Sequence, residues 1–262
     1  MLAPPMIPTE PGTLDVSVVV PVRDEAASLP QLVRELRAAL DASGGSWEAL
    51  FVDDASRDGS GALLGDLARA DARLRVVRLA RHGGQSAAIA AGLARAHGRA
   101  IVTLDADLQN DPADVPRLLA ALARADVAHG IRTERRDGAR RRLVSAIANA
   151  FRRALVGDSI RDIGCSLTAY RRDALAGLPA FVGVHRFLPA LCERRGARIV
   201  QLAVAHRPRR HGRSKYGVAD RLGRGIADVL GVRWLRSRLI APAVAREAGR
   251  VADHEPVHEE AS

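Results

Sequence analysis

The stretch VSVVVPV, residues 16–22, decides the fold class of this chain. It is a run of valines without the apolar–polar alternation of a half-exposed strand, so it predicts a strand buried on both faces. Ser28 and Gln31 then predict a capping box, with Pro30 in the first helical turn. Apolar residues follow at helical spacing at Leu29, Leu32, Val33, Leu36 and Leu40. The chain therefore begins with a buried strand and an amphipathic helix.

The alternation of strand and helix patterns continues to residue 132. Further strands are predicted at 48–54, 75–80, 100–105 and 126–132, and helices at 60–70, 85–97 and from Pro112. Strands that alternate with helices of this length form parallel βαβ units with right-handed crossovers. The sequence therefore predicts an α/β fold built on a parallel sheet.

Beyond residue 132 the pattern is less regular. It predicts a basic helix at 139–155, a strand at 166–172, a helix at 186–195, a strand at 198–206 and a basic helix at 218–238. Residues 1–14 and the acidic tail 239–262 are predicted to be disordered. The folded domain is thus expected to span residues 15–238.

The net charge of the 262 residues is +10, and aromatic residues make up only 3% of them. A basic excess favours anionic partners such as nucleic acid, an anionic membrane surface or phosphorylated substrates. However, the predicted strands end in acidic residues that would repel a nucleic-acid backbone, and aromatic side chains for base stacking are nearly absent. A nucleic-acid-binding module is therefore the weaker interpretation.

Membrane and extracellular classes are disfavoured by the sequence. No apolar run approaches the roughly 20 residues that span a bilayer, and MLAPPMIPTEPG at the N-terminus lacks the features of a signal peptide. Cys165 and Cys192 have neither metal-ligand spacing nor the number expected of a disulfide framework. We expect a cytoplasmic protein, peripheral on the cytosolic face of the inner membrane.

Polar residues follow each predicted strand at the end where parallel sheets bind ligands. They are Glu25, Asp54, Gln85, Asp105 to Asp107, and Arg132. Asp54 could accept hydrogen bonds from a base or ribose, or could belong to a turn before a helix capped by Ser60. Glu25 could reach the same cleft or merely favour the N-terminus of the first helix.

The segment TLDADLQ, residues 103–109, is the strongest indication of chemistry. If the backbone is extended, Asp105 and Asp107 point the same way with carboxylates about 6.5–7 Å apart. That geometry suits a divalent cation, because Mg²⁺ binds one or two carboxylates together with substrate phosphates. Gln109 could supply a further oxygen. The alternative is a polar turn after a strand.

Four motifs in a fixed order resemble family 2 glycosyltransferases with a GT-A fold. They are P-x-x-x-E at 21–25, V-D-D-x-S-x-D-G-S at 52–60, G-Q-x-x-A at 84–88 and D-A-D-L-Q-x-D-P at 105–112. DADLQNDP is similar in particular to the dolichyl- or polyprenyl-phosphate sugar synthases. The resemblance covers roughly residues 15–235 and implies a central, mostly parallel sheet flanked by helices.

The resemblance implies a donor half at 15–132. Asp105 and Asp107 would hold the donor diphosphate through Mg²⁺ or Mn²⁺, with Gln109 as a further metal ligand. This chain has Arg23 where the family often has tyrosine, and the guanidinium could stack on the base. The residues implied in donor binding are Pro21, Arg23, Glu25, Val52, Asp54, Gln85, Asp105, Ala106 and Asp107.

The resemblance also implies an acceptor half at 133–238, with a basic C-terminal helix. RRRLVS at 140–145 is similar to a stretch that binds the acceptor phosphate, and RPRRHGRSKYG at 207–217 resembles an R-x-x-G-x-S-K segment. Arg209 and Lys215, the single lysine of the chain, would reach substrate phosphates as catalytic residues. The implied acceptor-phosphate ligands are Arg132, Arg141, Ser145 and Asp162.

The predicted activity is inverting transfer of a sugar from a UDP- or GDP-sugar to a polyprenyl phosphate. A soluble or glycan acceptor remains the alternative. Contact with an anionic membrane surface and a separate membrane-protein partner are further expectations. Five histidines lack metal spacing and are interpreted as surface or packing residues, namely His82, His129, His185, His206 and His211.

Overall fold

A computed structural model describes residues 7, 13–132 and 157–208 of the chain. Its strands are β1 (Leu14–Val22), β2 (Trp47–Asp53), β3 (Leu74–Arg78), β4 (Gly98–Thr103), β5 (Val127–Arg132), β6 (Thr168–Arg171) and β7 (Ile199–Val204). Its helices are α1 (Leu29–Ser43), α2 (Ser60–Ala70), α3 (Gly84–Leu93), α4 (Val115–Ala121), α5 (Arg172–Leu175) and α6 (Val184–Arg194), with a 3₁₀ turn at Pro112–Asp114.

The seven strands form one sheet in the order β3-β2-β1-β4-β6-β5-β7. Strands β1 to β4 pair in parallel, as do β5 and β7. Strand β6 runs antiparallel between β4 and β5, which makes the sheet mostly parallel. Strand β5, the last strand of the predicted donor half at 15–132, pairs with β6 and β7 and not with β4.

Helices cover both faces of the sheet, as the valine run of β1 requires. Val18 and Val20 pack with α1, α2 and α4 in one apolar cluster, while Val19 packs with α3, α5 and α6 in the other. All three valines are fully buried. Ile7 lies inside the segment predicted to be disordered, yet it is fully buried in the second cluster.

Two predicted helix caps are wrong. The Ser28 side chain makes no capping bond, and its hydroxyl lies 3.5 Å from a Glu25 carboxylate oxygen. Ser60 is the first residue of α2 and follows the left-handed Gly59, while its buried hydroxyl accepts a hydrogen bond from the Glu25 amide at 3.0 Å. Both serines thus hold the loop after β1 instead of capping their own helices.

A buried carboxylate ties the sheet together at the opposite, amino end of its strands. Glu48 of β2 accepts hydrogen bonds from the Ser17 hydroxyl, the Arg75 guanidinium and the His97 amide, each at 2.6 Å. Burial opposes ionisation, but these bonds hold the pKa of Glu48 below its usual value. The charge is therefore compensated, and β1, β2, β3 and the residue before β4 are joined away from the predicted site.

Several predictions fall outside the described residues, namely the helices at 139–155 and 218–238 and the tail at 239–262. Within the described ranges, none of the helices has both the length and the apolar character needed to cross a bilayer.

Gly92 of α3 allows close packing of that helix on the sheet. A methyl group at this position would lie 2.4 Å from a Val19 methyl carbon and 3.1 Å from one of Val52. We expect Gly92→Ala to destabilise the fold by about 1–3 kcal/mol, because overpacking outweighs the gain in helix propensity. Gly65→Ala in α2 is the matched control, since its methyl group would meet only arginine side chains at 3.5 Å or more. Urea denaturation should show opposite signs for the two variants, and equal effects would contradict this packing.

Candidate functional site

Backbone strain is concentrated in three loops at the carboxyl edge of the sheet. In the ranges that the structure describes, three non-glycine residues have a positive φ: Asp24 (51°), Ala55 (55°) and Leu108 (62°). They follow β1, β2 and β4, which are neighbours in the sheet. Such conformations cost free energy and persist where the surroundings enforce them, often at functional sites.

The loops after β1 and β2 form one unit. The Arg23 guanidinium donates hydrogen bonds to the carbonyl oxygens of Asp54 and Ala55, the latter at 2.5 Å. The Asp24 carboxylate accepts the Arg57 amide at 2.7 Å, and the Asp24 amide donates to the Ser56 hydroxyl at 3.0 Å. These contacts fix the Arg23 guanidinium between the two loops, and its stacking on a base stays a prediction.

The next loop is attached to this unit through Asp54. Its buried carboxylate accepts hydrogen bonds from the amides of Gly83 at 2.7 Å and Gly84 at 3.0 Å, and it lies 2.7 Å from His82 Nδ1. Asp54 thus positions the start of α3. Its contact with a base or ribose stays a prediction. His82, interpreted as a surface or packing residue, is a partner of a site carboxylate.

Pro21 and Val52 are paired in register between β1 and β2. The Val52 side chain, however, is fully buried beneath α3. This side chain belongs to the core, and the position of Val52 in the nucleoside pocket stays a prediction.

Asp105 is the electrostatic centre of the site. Gln85 at the start of α3 donates a hydrogen bond to its carboxylate at 2.7 Å, which joins two predicted donor-binding residues. Burial raises the pKa of Asp105 to about 6, and the neighbouring carboxylates of Asp107 and Glu25 add to the shift. Ser166 and Arg132 partly oppose it. Among the described groups, those that raise the pKa of Asp105 therefore outweigh those that lower it.

The DxD segment turns instead of continuing extended. Strand β4 ends at Thr103, Ala106 and Asp107 lie in a turn, and Leu108 is left-handed. The Asp107 carboxylate accepts the Gln109 amide at 3.1 Å, and Ala106 is buried. The extended spacing of 6.5–7 Å therefore does not apply, although Asp105 and Asp107 still lie close enough to interact electrostatically.

The residues of this edge fit a hard divalent cation. Asp105 and Asp107 offer carboxylate oxygens, and the mutual repulsion of the two groups would be relieved by positive charge. Over the described ranges, no cluster of three or more His, Cys, Asp and Glu side chains could hold a metal alone. A cation completed by substrate phosphates, as is usual for Mg²⁺, matches that donor set.

The segment after the DxD is held by His206 and by Arg207, the first residue of the RPRRHGRSKYG stretch. Arg207 pairs with Glu35 of α1 and with Asp111, each at 2.6 Å, and its amide donates to the Gln109 carbonyl at 2.7 Å. His206 Nε2 lies 3.4 Å from Nε2 of the Gln109 side chain. This connection was missed, because nothing in the local sequence pairs residue 207 with residues 35 and 111.

Arg132 and Asp162 lie together, but they contact each other. Asp162 accepts two hydrogen bonds from the Arg132 guanidinium, both at 2.7 Å, and its own peptide oxygen contacts the buried His129 ring at 2.9 Å. Both carboxylate oxygens of Asp162 bind Arg132, and its position facing the sugar or acceptor stays a prediction. His129 is a packing residue, as interpreted from the sequence.

A cleft of about 110 Å³ opens beside Asp105, between α3, the loop before β6 and the start of α6. His185 Nδ1 contacts the Ser86 hydroxyl at 2.8 Å, and burial lowers the pKa of His185 to about 4, assisted by Arg186. Burial raises the pKa of Cys165 to about 12, so its thiol is not a nucleophile at neutral pH. The polar lining residues include Gln85, Thr103, Asp105, Ser166, His185 and Arg186.

Four residues assigned phosphate contacts, Arg141, Ser145, Arg209 and Lys215, lie outside the described residues. Their roles stay predictions.

The architecture is that of the GT-A class, as the resemblance implied. It is similar to glucosyl-3-phosphoglycerate synthase from Mycobacterium tuberculosis, solved with Mn²⁺, uridine diphosphate and phosphoglyceric acid. The TM-score is 0.64 at 22% identity, over 87% of this chain and 80% of that chain. The chain belongs to glycosyl transferase family 2, whose family model matches residues 17–178.

The names of two curated relatives include a prenyl phosphate. An undecaprenyl-phosphate 4-deoxy-4-formamido-L-arabinose transferase of Pseudomonas aeruginosa is 43% identical over 203 residues, which cover 77% of this chain and 60% of the relative. A dodecaprenyl-phosphate galacturonate synthase of Rhizobium johnstonii is 39% identical over 228 residues, covering 84% of this chain and 67% of the relative. The chain thus spans 60% of the length of the Pseudomonas relative.

The charge of Asp105 should cost stability when no cation is bound. Its folded pKa of about 6 lies above the ordinary 3.8, so the ionised group destabilises the fold above pH 6 and the cost vanishes as the pH falls. We expect Asp105→Asn to raise the free energy of unfolding at pH 8 by about 1–3 kcal/mol and to remove stabilisation by Mg²⁺.

Urea denaturation with and without Mg²⁺ measures both effects. Asp66→Asn, an equal change of charge at an exposed position of α2, is the control and should stay within about 0.5 kcal/mol of wild type. Loss of stability in Asp105→Asn would contradict the assignment of an uncompensated charge.

Proposed function

We propose that the chain transfers a sugar from a nucleoside diphosphate to a polyprenyl phosphate, with inversion at the anomeric carbon. The observation that carries the proposal is the pair Asp105 and Asp107 at the carboxyl edge of the sheet, with Gln85 bonded to Asp105 at 2.7 Å. Membership of family 2 and the two prenyl-phosphate relatives support the choice of acceptor.

The proposed binding of the sugar donor rests on the loops at the carboxyl edge of the sheet. Arg23 offers a fixed guanidinium to the base, and Asp54 orients the start of α3, which carries Gln85. Asp105 and Asp107 would hold Mg²⁺ or Mn²⁺, which neutralises the leaving diphosphate when bound. The neighbour from Mycobacterium tuberculosis was solved with Mn²⁺ and uridine diphosphate, which favours a UDP-sugar over a GDP-sugar as donor.

A phosphate acceptor suits the chemistry available at this edge. A phosphate monoester has a second pKa near 6, so its oxygen is anionic at neutral pH and needs no strong general base. His185, the histidine that lines the cleft, has its pKa lowered to about 4 and is neutral at pH 7. Arg132, Arg141, Ser145, Arg209 and Lys215 are the proposed cationic and hydroxyl partners of the phosphates.

A lipid acceptor implies contact with a membrane. The net charge of +10 favours an anionic membrane surface, and we propose a peripheral position on the cytosolic face of the inner membrane. A separate membrane-protein partner is compatible with this arrangement. A soluble or glycan acceptor is the second candidate function, and it predicts product in the aqueous phase.

The decisive experiment supplies the full chain with radiolabelled UDP- and GDP-sugars, undecaprenyl phosphate in membranes and Mg²⁺, followed by extraction of lipid. We expect label in the lipid phase with one donor class, and none after Asp107→Ala or removal of the cation by chelation. Label that remains only in water-soluble product would favour the second candidate. Full activity of Asp107→Ala would contradict the metal assignment, and its circular dichroism spectrum provides the folding control.

Lys215 is proposed to contact a substrate phosphate as a movable point charge, which a planar guanidinium does not replace. We expect Lys215→Arg to lose most of its turnover in the same lipid-extraction assay. Arg210→Lys, the reverse exchange in the same segment at a position without a proposed role, is the control. Near-normal turnover of Lys215→Arg would show that the lysine is incidental.

A further inference from the structure

The start of α6 presents two polar side chains to the cleft beside Asp105 that no prediction from the sequence used. His185 and Arg186 are its second and third residues, and both line the cleft opposite α3. Arg186 is exposed, and His185 is partly buried. One side of the cleft is therefore formed by His185 and Arg186, from the later half of the chain. The side that carries Asp105 and Gln85 comes from the earlier half.

The hydrogen bonds around Ser86 define the tautomer of His185. The amide of Gly183 donates to the Ser86 hydroxyl oxygen at 2.8 Å, and His185 Nδ1 lies 2.8 Å from the same oxygen. If His185 Nδ1 carried the proton, the Ser86 hydroxyl would have no acceptor among its contacts in the described part of the chain. The favoured arrangement has Ser86 donating to Nδ1, which leaves the proton on Nε2.

The side chains on this wall therefore act as hydrogen-bond donors. A neutral imidazole protonated at Nε2 offers one donor, and the Arg186 guanidinium offers several together with a positive charge. The amide of Gln85 on the facing wall is already directed at Asp105. A carboxylate only accepts hydrogen bonds, so it pairs well with several donors. A hydroxymethyl group pairs less well, because its hydroxyl also needs an acceptor for its own proton.

We propose that His185 and Arg186 determine sugar specificity and select a donor whose sugar carries a carboxylate, that is, a uronic acid. The inference rests on the proposed function, since it takes the cleft beside Asp105 as the place of the donor sugar. Ser86 is a positioning residue in this scheme, because it acts on the sugar only through the His185 ring.

The first test concerns the tautomer and needs no activity. Long-range ¹H–¹⁵N NMR spectra of the full chain distinguish protonated from unprotonated ring nitrogens, and the His185 signals are identified by their loss in His185→Gln. We expect the proton on Nε2 in wild type and a mixture of tautomers in Ser86→Ala. A proton on Nδ1 in wild type would overturn the proposed geometry.

The second test compares donors that differ in a single group. Calorimetry with Mg²⁺ measures binding of UDP-galacturonate against UDP-galactose, and of UDP-glucuronate against UDP-glucose. We expect one uronate of the two pairs to bind about tenfold or more tightly than its neutral counterpart, as a charge-assisted hydrogen bond allows. Arg186→Gln should abolish the preference while UDP alone binds as before, and Arg186→Lys should restore part of it.

Arg194→Gln is the matched control. This change removes one positive charge from the same helix, about 12 Å from Arg186 along the helix axis. The variant should keep the preference for the uronate donor. Equal binding of uronate and neutral sugar by wild type would overturn the specificity and leave the proposed function standing. Failure of UDP and UDP-sugars to bind at all, with GDP-sugars failing as well, would overturn both.

Discussion

The parallel pairing of β1 with β2 on one side and β4 on the other is the constraint on which the site depends. Since the three strands run the same way, the loops that follow them must end at one edge of the sheet. The valines of β1 are buried on both faces and fix this strand at the centre. That pairing positions the polar side chains of the candidate site that belong to the earlier half of the chain.

The electrostatics of this edge differ from those of the opposite edge. Glu48, at the amino ends, has its charge satisfied by three donors, so it contributes to stability. Asp105, at the carboxyl ends, is opposed by burial and by neighbouring carboxylates, so its ionised form is costly. The ionised form of Asp105 is thus unfavourable at the place where a cation bound to a diphosphate would stabilise it. Such perturbed carboxylates are typical of functional sites.

Local patterns predicted the strands, most helices and the family, because hydrophobic period and ordered motifs are properties of contiguous residues. They could not predict that β6 runs antiparallel between β4 and β5, which depends on a pairing between distant segments. For the same reason Arg132 and Asp162 were each assigned to substrate, although they bind each other across 30 residues of sequence. The histidines illustrate the same limit, since His185 has no partner at metal spacing but contacts Ser86, 99 residues away.

The position of β6 has a consequence for synthesis of the chain on the ribosome. Strand β4 is complete at residue 103, but its second neighbour is not made until residue 171. During that interval β4 presents an unpaired edge, which is the kind of surface that nascent chains pair with incorrectly. Strand β5 is likewise made before either of its partners. The sheet can therefore be completed only after residue 204 has been made, and we expect β4 and β5 to need protection from incorrect pairing until then.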